Sequence, residues 1–179
     1  MSKLLYVSAQ PDVSYFHWQV EVYVNNFVRK GIPLENIHVL FGIPDNKTEP
    51  SVWGLKLKER IPNVYFYKDD RTSKHYIPSI KPYLIYQWLK EDCNRGELFF
   101  LHDSDIIFRE LPDFTDLISD NKIYMSDTKG YIGFEYLTEC SLRYEKQHPN
   151  LERNELVTLM CDTIGININS VIGNKNSSG

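Results

Sequence analysis

Two aspartates, Asp103 and Asp105, follow the most apolar stretch of the chain, which reads ELFFLHDSDIIF from residue 97 to residue 108. In an extended strand, side chains two positions apart project to the same side, so the two carboxylates converge while Ser104 points away. Close carboxylates repel each other unless a cation lies beside them. Mn²⁺ and Mg²⁺ prefer oxygen ligands and leave coordination positions for phosphate oxygens. The pair therefore predicts a divalent-cation site that assists the departure of a phosphate leaving group, with a solvated turn as the alternative.

Other metal-binding side chains do not form a recognisable pattern in the sequence. His102 adjoins the acid pair, but it alternates to the opposite side of the strand, so we expect a structural role for it. The three cysteines, Cys93, Cys140 and Cys161, have no C-x-x-C spacing, and no His or Cys partner stands at zinc-site spacing. We expect three reduced, mostly buried thiols.

The elements that must position the acid pair alternate between strands and helices. Apolar runs predict strands at residues 4–9, 37–43, 63–67, 97–103 and 122–126. Helical periodicity predicts helices at residues 14–30, 51–60, 80–93, 135–147 and 152–161. This order predicts an α/β fold with a mostly parallel sheet flanked by helices. Ligands bind beyond the carboxyl ends of such strands, where the acid pair lies. Residues 98–101 are all apolar, so we expect both faces of that strand to be covered.

Length, composition and charge restrict the class of protein. The chain has 179 residues, of which 42% are hydrophobic and 25% charged, which predicts one ordered domain rather than disorder. The net charge of -4 provides no broad basic field, so we do not expect a nucleic-acid partner. The N-terminus, MSKLLYVSAQPD, has neither the pattern of a signal peptide nor that of a membrane span. We therefore expect a cytoplasmic protein.

Four short motifs, in order, resemble those of GT-A glycosyltransferases, in particular the peptidyl-serine galactosyltransferase and hydroxyproline arabinosyltransferase group of plants. They are YFHWQ at 15–19, KPYLIYQWL at 81–89, LHDSDII at 101–107 and KGYIG at 129–133. They correspond to the group's Y-F-x-W-Q, N-K-P-x5-W-L, L-D-x-D and G-Y-L-x-G patterns. The sequence departs from these patterns at Ile80, where the group has Asn, and at His102. The missing signal peptide fits a microbial or phage relative better than a Golgi enzyme.

The resemblance implies a metal-dependent transferase that moves a sugar from a nucleotide-sugar donor, with UDP as the expected nucleotide, to a hydroxyl acceptor. The acceptor, whether protein, glycan or small molecule, is not implied. Asp103 and Asp105 would bind Mn²⁺ or Mg²⁺. The implied donor-binding residues are Ser8, Ala9, Gln10, Lys81, Asp103 and Ser104. Further candidates for donor or acceptor binding are Trp18, Gln19, Asp70, Tyr131 and, as an acceptor-side catalytic residue, Asp127.

The resemblance also implies a single GT-A-like, Rossmann-like domain over residues 1–179. Residues 1–110 would form the nucleotide-sugar-binding half, and residues 111–179 would begin the acceptor-side half. Such enzymes continue beyond the position of Gly179, so we expect part of the C-terminal acceptor region to be missing.

Each candidate also has an alternative interpretation that involves no ligand. The segment 8–10 could be a polar loop, Lys81 a solvated lysine and residues 69–71 a solvated turn. For Trp18, as for Trp88, core packing is the favoured interpretation.

Two other functions are compatible with the sequence. A nucleotidyltransferase or phosphohydrolase could use the acid pair, but it would normally need further acids and a glycine-rich phosphate loop. A catalytically silent module that binds nucleotide-sugars is the second alternative. A serine hydrolase is disfavoured because the sequence has no G-x-S-x-G.

Overall fold

A computed structural model of the chain describes residues 4–72, 74, 77–91, 98–114 and 134–147, together with six single residues between 158 and 169. The chain forms two compact units, Met1–Ile118 and Ser119–Gly179. The described elements of the first unit are β1 (Leu4–Pro11), α1 (Ser14–Arg29), β2 (Ile37–Ile43), α2 (Val52–Arg60), β3 (Asn63–Lys68), α3 (Ile80–Glu91) and β4 (Leu98–His102). In the second unit the structure describes one long helix, α4 (Phe134–Gln147).

These bounds agree with the predicted ones to within two residues at every end. The predicted strand at 122–126 and most of the predicted helix at 152–161 lie outside the described residues. The strands β1 to β4 are all parallel and are ordered β3-β2-β1-β4. The predicted α/β class with a parallel sheet flanked by helices is therefore confirmed.

Two apolar layers cover the two faces of the sheet. On one face, α1 contributes Val20, Tyr23 and Phe27 to a cluster that continues with Leu57 of α2. On the other face, α3 packs Ile80, Leu84 and Trp88 against Leu5, Val7, Ala9 and Leu40. Neighbouring residues of β1 therefore enter opposite layers, as the period of two in a strand requires. Trp88 is fully buried, which confirms that it is a core residue.

The prediction that both faces of the fourth strand are covered is wrong. Leu98, Phe99 and Leu101 are exposed, and Leu101 is exposed to 47%. The reason is position rather than composition: in the described sheet, β4 is an edge strand that pairs with β1, and α3 lies over β1 and β2. A run of apolar residues does not by itself distinguish a central strand from an edge strand.

The strand order reverses direction beside β1. From β1 the chain first builds outward through β2 and β3, and then returns to add β4 on the other side of β1. In open α/β sheets, ligands bind in the crevice that forms at the carboxyl ends of the strands at such a reversal. The ends of β1 and β4 therefore border the expected ligand crevice.

None of the described helices has both the length and the apolar character needed to span a bilayer. Two cysteines among the described residues, Cys140 and Cys161, are free thiols; Cys161 is buried and Cys140 is partly exposed. Cys93 lies outside the described residues.

Candidate functional site

A cleft of about 210 Å³ opens at the carboxyl edge of the sheet, between the ends of β1 and β4. Four segments supply its walls: the end of β1, the first turns of α1, the start of α3 with the turn before it, and the turn after β4. The lining residues are Ala9, Gln10, Pro11, Tyr15, Phe16, Gln19, Ile77, Pro78, Ile80, Lys81, Asp103, Ser104 and Asp105. The crevice expected from the strand order is therefore present.

The two acids lie in a turn rather than in the strand. β4 ends at His102, so the strand geometry used to predict their convergence does not extend to them. Burial nevertheless alternates through the turn: His102 and Ser104 are buried, whereas Asp103 and Asp105 are exposed. Both carboxylates consequently remain accessible at the rim of the cleft.

His102 is buried beneath this turn, as expected for a structural residue. Its ring packs against Tyr23, Phe27 and Phe100, with centroid separations of 4.9, 5.1 and 5.7 Å. Its Nδ1 lies 2.8 Å from the carbonyl oxygen of Asp103, which can only accept a hydrogen bond, so Nδ1 carries the proton. The other ring nitrogen, Nε2, is buried without a hydrogen-bond partner in the described structure. Burial accordingly lowers the pKa of His102 from 6.5 to about 4.

Lys81 brings a positive charge to the acid pair from a different element. It lies in the first turn of α3, and its Nζ forms an ion pair with Asp103 Oδ1. The two side chains are 39% and 64% exposed, so solvent screens the pair and its contribution to stability is small. With Asp105 included, the three charges sum to a net charge of -1 at the rim of the cleft.

The turn that carries the acids is fixed to α1 by hydrogen bonds from its buried side. Ser104 Oγ donates to Gln19 Oε1 over 2.6 Å, and both residues are buried. Further along, the amide of Asn26 donates to the carbonyl oxygen of Phe108, and its Oδ1 accepts from the backbone N–H of Phe108. These contacts join residues about 80 positions apart in the chain, and no local sequence signal predicts them.

Gln10 presents an unpaired acceptor beside the cleft. The residue is 1% exposed, and its Nε2 donates to the carbonyl oxygen of Leu40 over 3.2 Å. This contact fixes the amide orientation, because a carbonyl cannot donate. Gln10 Oε1 is then left buried with no partner in the part of the chain that the structure describes. Buried acceptors are normally paired, so this oxygen is an unusual feature of the cleft wall.

The cleft brings together seven of the predicted site residues, namely Ala9, Gln10, Gln19, Lys81, Asp103, Ser104 and Asp105. Ser8 lies elsewhere: it is fully buried, and its hydroxyl is 2.7 Å from the hydroxyl of Tyr23. Asp70 is exposed outside the cleft and lies 3.5 Å from Lys68 Nζ. Asp127 and Tyr131 lie outside the described residues.

Two expectations about individual residues are wrong. Trp18 is 53% exposed on α1 rather than packed in the core, because it occupies the helix face turned away from the sheet. The expected solvated turn at 69–71 is wrong for Asp69, which is buried and accepts two hydrogen bonds of 2.8 Å from the guanidinium of Arg71. These hydrogen bonds lower the pKa of Asp69 below its usual range, against the smaller opposing effect of burial. The expectation of a solvated residue holds for Asp70, which is exposed.

Sequence reasoning missed a second polar cluster, formed by Asp12, His17 and Ser51 at the same edge of the sheet. Asp12 Oδ1 lies 2.7 Å from His17 Nε2 and accepts a 2.6 Å hydrogen bond from Ser51 Oγ. Asp12 Oδ2 accepts a 2.6 Å hydrogen bond from the backbone N–H of Ser51. A Cβ atom at Gly54 would lie 2.7 Å from Asp12 Oδ1, so only glycine fits there without displacing the carboxylate. The usable signal was Ser51 itself, which is a good N-cap residue directly before a helix.

This Asp12 cluster has the residue types of a hydrolase triad but not the geometry of one. In a triad, the acid and the nucleophile contact different nitrogens of the histidine ring. Here Asp12 and Ser51 both approach Nε2, at 2.7 and 3.2 Å. The Ser51 hydroxyl is engaged as the N-cap of α2, accepting from Gly54 N–H over 2.9 Å. The cluster therefore joins β1, α1 and α2, and it has no free nucleophile.

The donor set of the cleft fits a hard divalent cation with few protein ligands. Among the described residues, no group of three or more His, Cys, Asp or Glu could hold a metal ion. Asp103 and Asp105 are thus the available donors, and Mg²⁺ or Mn²⁺ commonly takes one or two carboxylates and completes its coordination with water and phosphate oxygens. The ammonium group of Lys81 is the cation that lies against Asp103 in the described structure.

Comparisons of the chain with protein-family models, with curated proteins and with solved structures give no match.

Proposed function

We propose that this protein is a metal-dependent glycosyltransferase of the GT-A type, which transfers a sugar from a nucleotide-sugar donor to a hydroxyl acceptor. The observation that carries the proposal is the cleft at the strand-order reversal. It gathers Asp103, Asp105, Lys81 and Gln10 from three separate segments of the chain. A Rossmann-like sheet presents a nucleotide at this position, and the four sequence motifs resemble those of such enzymes.

The charges of the cleft suit a diphosphate. When a divalent cation is bound, it supplies Lewis-acid stabilisation of the departing diphosphate. Lys81 provides a mobile ammonium that can pair with a phosphate oxygen, and the N-terminus of α3 favours negative charge nearby. Asp103 and Asp105 would hold the cation from the opposite wall. Lys81 and a bound divalent cation would together balance the negative charge of a departing nucleoside diphosphate.

The uncharged walls of the cleft suit the parts of a nucleotide-sugar other than its diphosphate. Tyr15 and Phe16 form one wall, with ring centroids 5.0 Å apart, and Ile77 and Pro78 form another. Gln10 also lines the cleft, and its buried Oε1 has no hydrogen-bond partner among the described residues. The volume of about 210 Å³ is below the ~300–1,000 Å³ of complete small-molecule sites. The described walls are therefore the size of a donor's nucleoside or diphosphate portion rather than of a whole nucleotide-sugar.

Two-metal phosphohydrolase or nucleotidyltransferase chemistry has less support. Two metal ions about 4 Å apart need several bridging and flanking carboxylates. Asp103 and Asp105 are the only acids that line the described cleft. A single cation beside a lysine is the arrangement that these residues support best.

The proposal is tested by thermal unfolding with a panel of nucleoside diphosphates, with and without Mn²⁺. UDP at 100 times its Kd should stabilise the protein by about 2.7 kcal/mol, which corresponds to a Tm increase of roughly 5–10 °C for a chain of this size. The increase should require Mn²⁺ and should disappear in Asp105→Asn. A matched control is Asp70→Asn, which removes an exposed carboxylate outside the cleft and should retain the increase.

Two results would contradict the proposal. One is that neither UDP nor any other nucleotide of the panel raises the Tm at millimolar concentration in the presence of Mn²⁺. The other is an undiminished increase in Asp105→Asn. Hydrolysis of the bound UDP-sugar, measured by UDP release, then separates an enzyme from a silent binding module.

A further inference from the structure

The cation nearest to the acid pair is a residue of the chain itself. Lys81 Nζ forms an ion pair with Asp103, whereas no ion pair joins Asp105 to a lysine or arginine among the described residues. The two acids are therefore unequal in the free protein. Asp103 is paired with Lys81, whereas Asp105 has no such counter-charge from the residues that the structure describes.

We propose that Lys81 is an exchangeable counter-ion, which occupies the cation position at Asp103 in the free protein and moves to the phosphate of the ligand when a divalent cation binds. This inference rests on the proposed function. It goes beyond that function because it assigns Lys81 two successive partners and makes the metal and the nucleotide depend on each other.

The exposure of the ion pair makes the exchange feasible. Exposed lysine–carboxylate pairs are held weakly, because water and salt screen the attraction and a long side chain must be ordered. A competing interaction of this strength reduces metal affinity by no more than about fivefold, which equals about 1 kcal/mol. Lys81 can therefore hold Asp103 in place without preventing metal binding.

The position of Lys81 on α3 explains where the released ammonium would go. The first turn of a helix favours anions, and a cation there is unfavourable unless an anion lies nearby. In the free protein that anion is Asp103. Once a metal ion takes over Asp103, a phosphate placed between the start of α3 and the metal would provide the replacement. The four-carbon side chain is flexible enough to make this change without movement of the helix.

The exchange predicts positive coupling between the two ligands. A metal ion that displaces Lys81 leaves the ammonium free for phosphate. A phosphate that attracts Lys81 likewise uncovers Asp103 for the metal. Thermodynamic linkage requires the two effects to be equal, so Mn²⁺ should raise UDP affinity by the same factor by which UDP raises Mn²⁺ affinity.

The test uses Lys81→Met, which keeps the length and apolar character of the side chain and removes its charge. Mn²⁺ binding to the nucleotide-free protein is measured by titration of the Mn²⁺ electron paramagnetic resonance signal. UDP binding at saturating Mn²⁺ is measured by calorimetry. We expect Mn²⁺ to bind about two- to fivefold more tightly and UDP to bind about tenfold more weakly.

Two further variants isolate the local effect of the charge. Lys74→Met changes the net charge of the chain by the same amount, but Lys74 pairs with Asp45 outside the cleft. It should change neither affinity by more than about 1.5-fold, because distant exposed charges are screened. Lys81→Arg keeps a cation at the same place and should leave Mn²⁺ affinity near that of the unmodified protein.

The opposite signs of the two effects make the outcomes distinct. If Lys81→Met leaves Mn²⁺ affinity unchanged or lower while the unmodified protein binds Mn²⁺ and UDP, the exchange is overturned and the proposed function stands. If the unmodified protein binds neither Mn²⁺ nor UDP, the proposed function fails and the exchange fails with it. If Lys74→Met reproduces the effect of Lys81→Met, the cause is the overall charge, and the exchange is again overturned.

Discussion

Asp12 and Asp103 each follow the last residue of a strand, β1 and β4, and these two strands are hydrogen-bonded neighbours. Both carboxylates therefore stand at the same edge of the sheet, yet their surroundings differ. Asp12 is 4% exposed and makes three polar contacts, one with His17 and two with Ser51. Asp103 is exposed and has an ion pair with Lys81.

Two carboxylates at the same edge of the sheet thus differ in how many of their oxygens are already hydrogen-bonded by the protein. The oxygens of Asp12 are occupied by donors of the fold, and a Cβ atom at Gly54 would already collide with one of them. Asp103 and Asp105 are exposed, and Asp103 has Lys81 as its ion-pair partner. Removal of Asp12 should therefore lower the free energy of unfolding. Removal of Asp103 should leave it almost unchanged and should instead weaken ligand binding.

The largest effect is expected from removing the buried acid. Asp12→Ala would leave the Ser51 N–H and His17 without their acceptor, and buried donors deprived of a charged partner destabilise a protein by about 3–5 kcal/mol. Asp103→Ala should change the unfolding free energy by less than about 0.5 kcal/mol, because it is an exposed residue. Urea denaturation of the two variants measures this difference. Equal losses of stability would show that the contrast between the two acids is wrong.

A slightly smaller loss of stability is expected when the pH is lowered, because His102, which lies on the buried side of the turn that carries Asp103 and Asp105, becomes protonated. Its pKa is about 4 in the folded protein and 6.5 in the unfolded chain, so the unfolded state binds more protons between these values. The stability that depends on neutral His102 is fully present above pH 6.5 and is lost as the pH falls towards 4. The expected loss is about 3 kcal/mol at pH 4.

The variant His102→Phe isolates this contribution, since phenylalanine fills the same space among the Tyr23, Phe27 and Phe100 rings without titrating. Unfolding free energies are compared between pH 7 and pH 4 for both proteins. The variant should lose about 3 kcal/mol less than the unmodified protein over this range. The same loss in both proteins would mean that His102 does not remain neutral in the fold.

The smallest of the three effects concerns Ser104, which separates the two exposed acids. Ser104→Ala removes the hydroxyl that donates to Gln19 and leaves a buried oxygen without its partner, at an expected cost of about 1–2 kcal/mol. Asp105→Ala, one residue further, is the matched control and should cost less than about 0.5 kcal/mol. Both are measured by urea denaturation. If Ser104→Ala costs no more than its control, the turn is not held by this hydrogen bond.

Most of the fold was predictable because the relevant signals are local. The spacing of apolar residues predicts the helices and strands, and the alternating order of these elements predicts a parallel sheet. The exposure of β4 was not predictable, since a strand's neighbours in the sheet are not encoded in its own composition. The side of α1 on which Trp18 lies was misjudged for a related reason: a tryptophan is usually buried, and only the packed helix shows which face meets the sheet.

The candidate site was predictable in part. Asp103 and Asp105 drew attention because carboxylates after an apolar strand are chemically unusual, and Lys81 and Gln10 were placed near them by motif and by strand-end position. The Asp12 cluster was missed because Asp12, His17 and Ser51 are individually ordinary residues. Their significance arises only when three different elements bring them within hydrogen-bonding distance.

The sequence by itself determined the alternation of strands and helices, the parallel sheet and the position of the acid pair at the end of β4. These follow from side-chain periodicity and from the chemistry of neighbouring residues, which act over a few positions. The tertiary structure decided which carboxylates are buried and hydrogen-bonded by the protein and which are exposed to solvent. That outcome depends on hydrogen bonds and burial between residues 5 to 85 positions apart, such as His17 with Asp12 and Ser104 with Gln19, and such contacts exist only once the chain has folded.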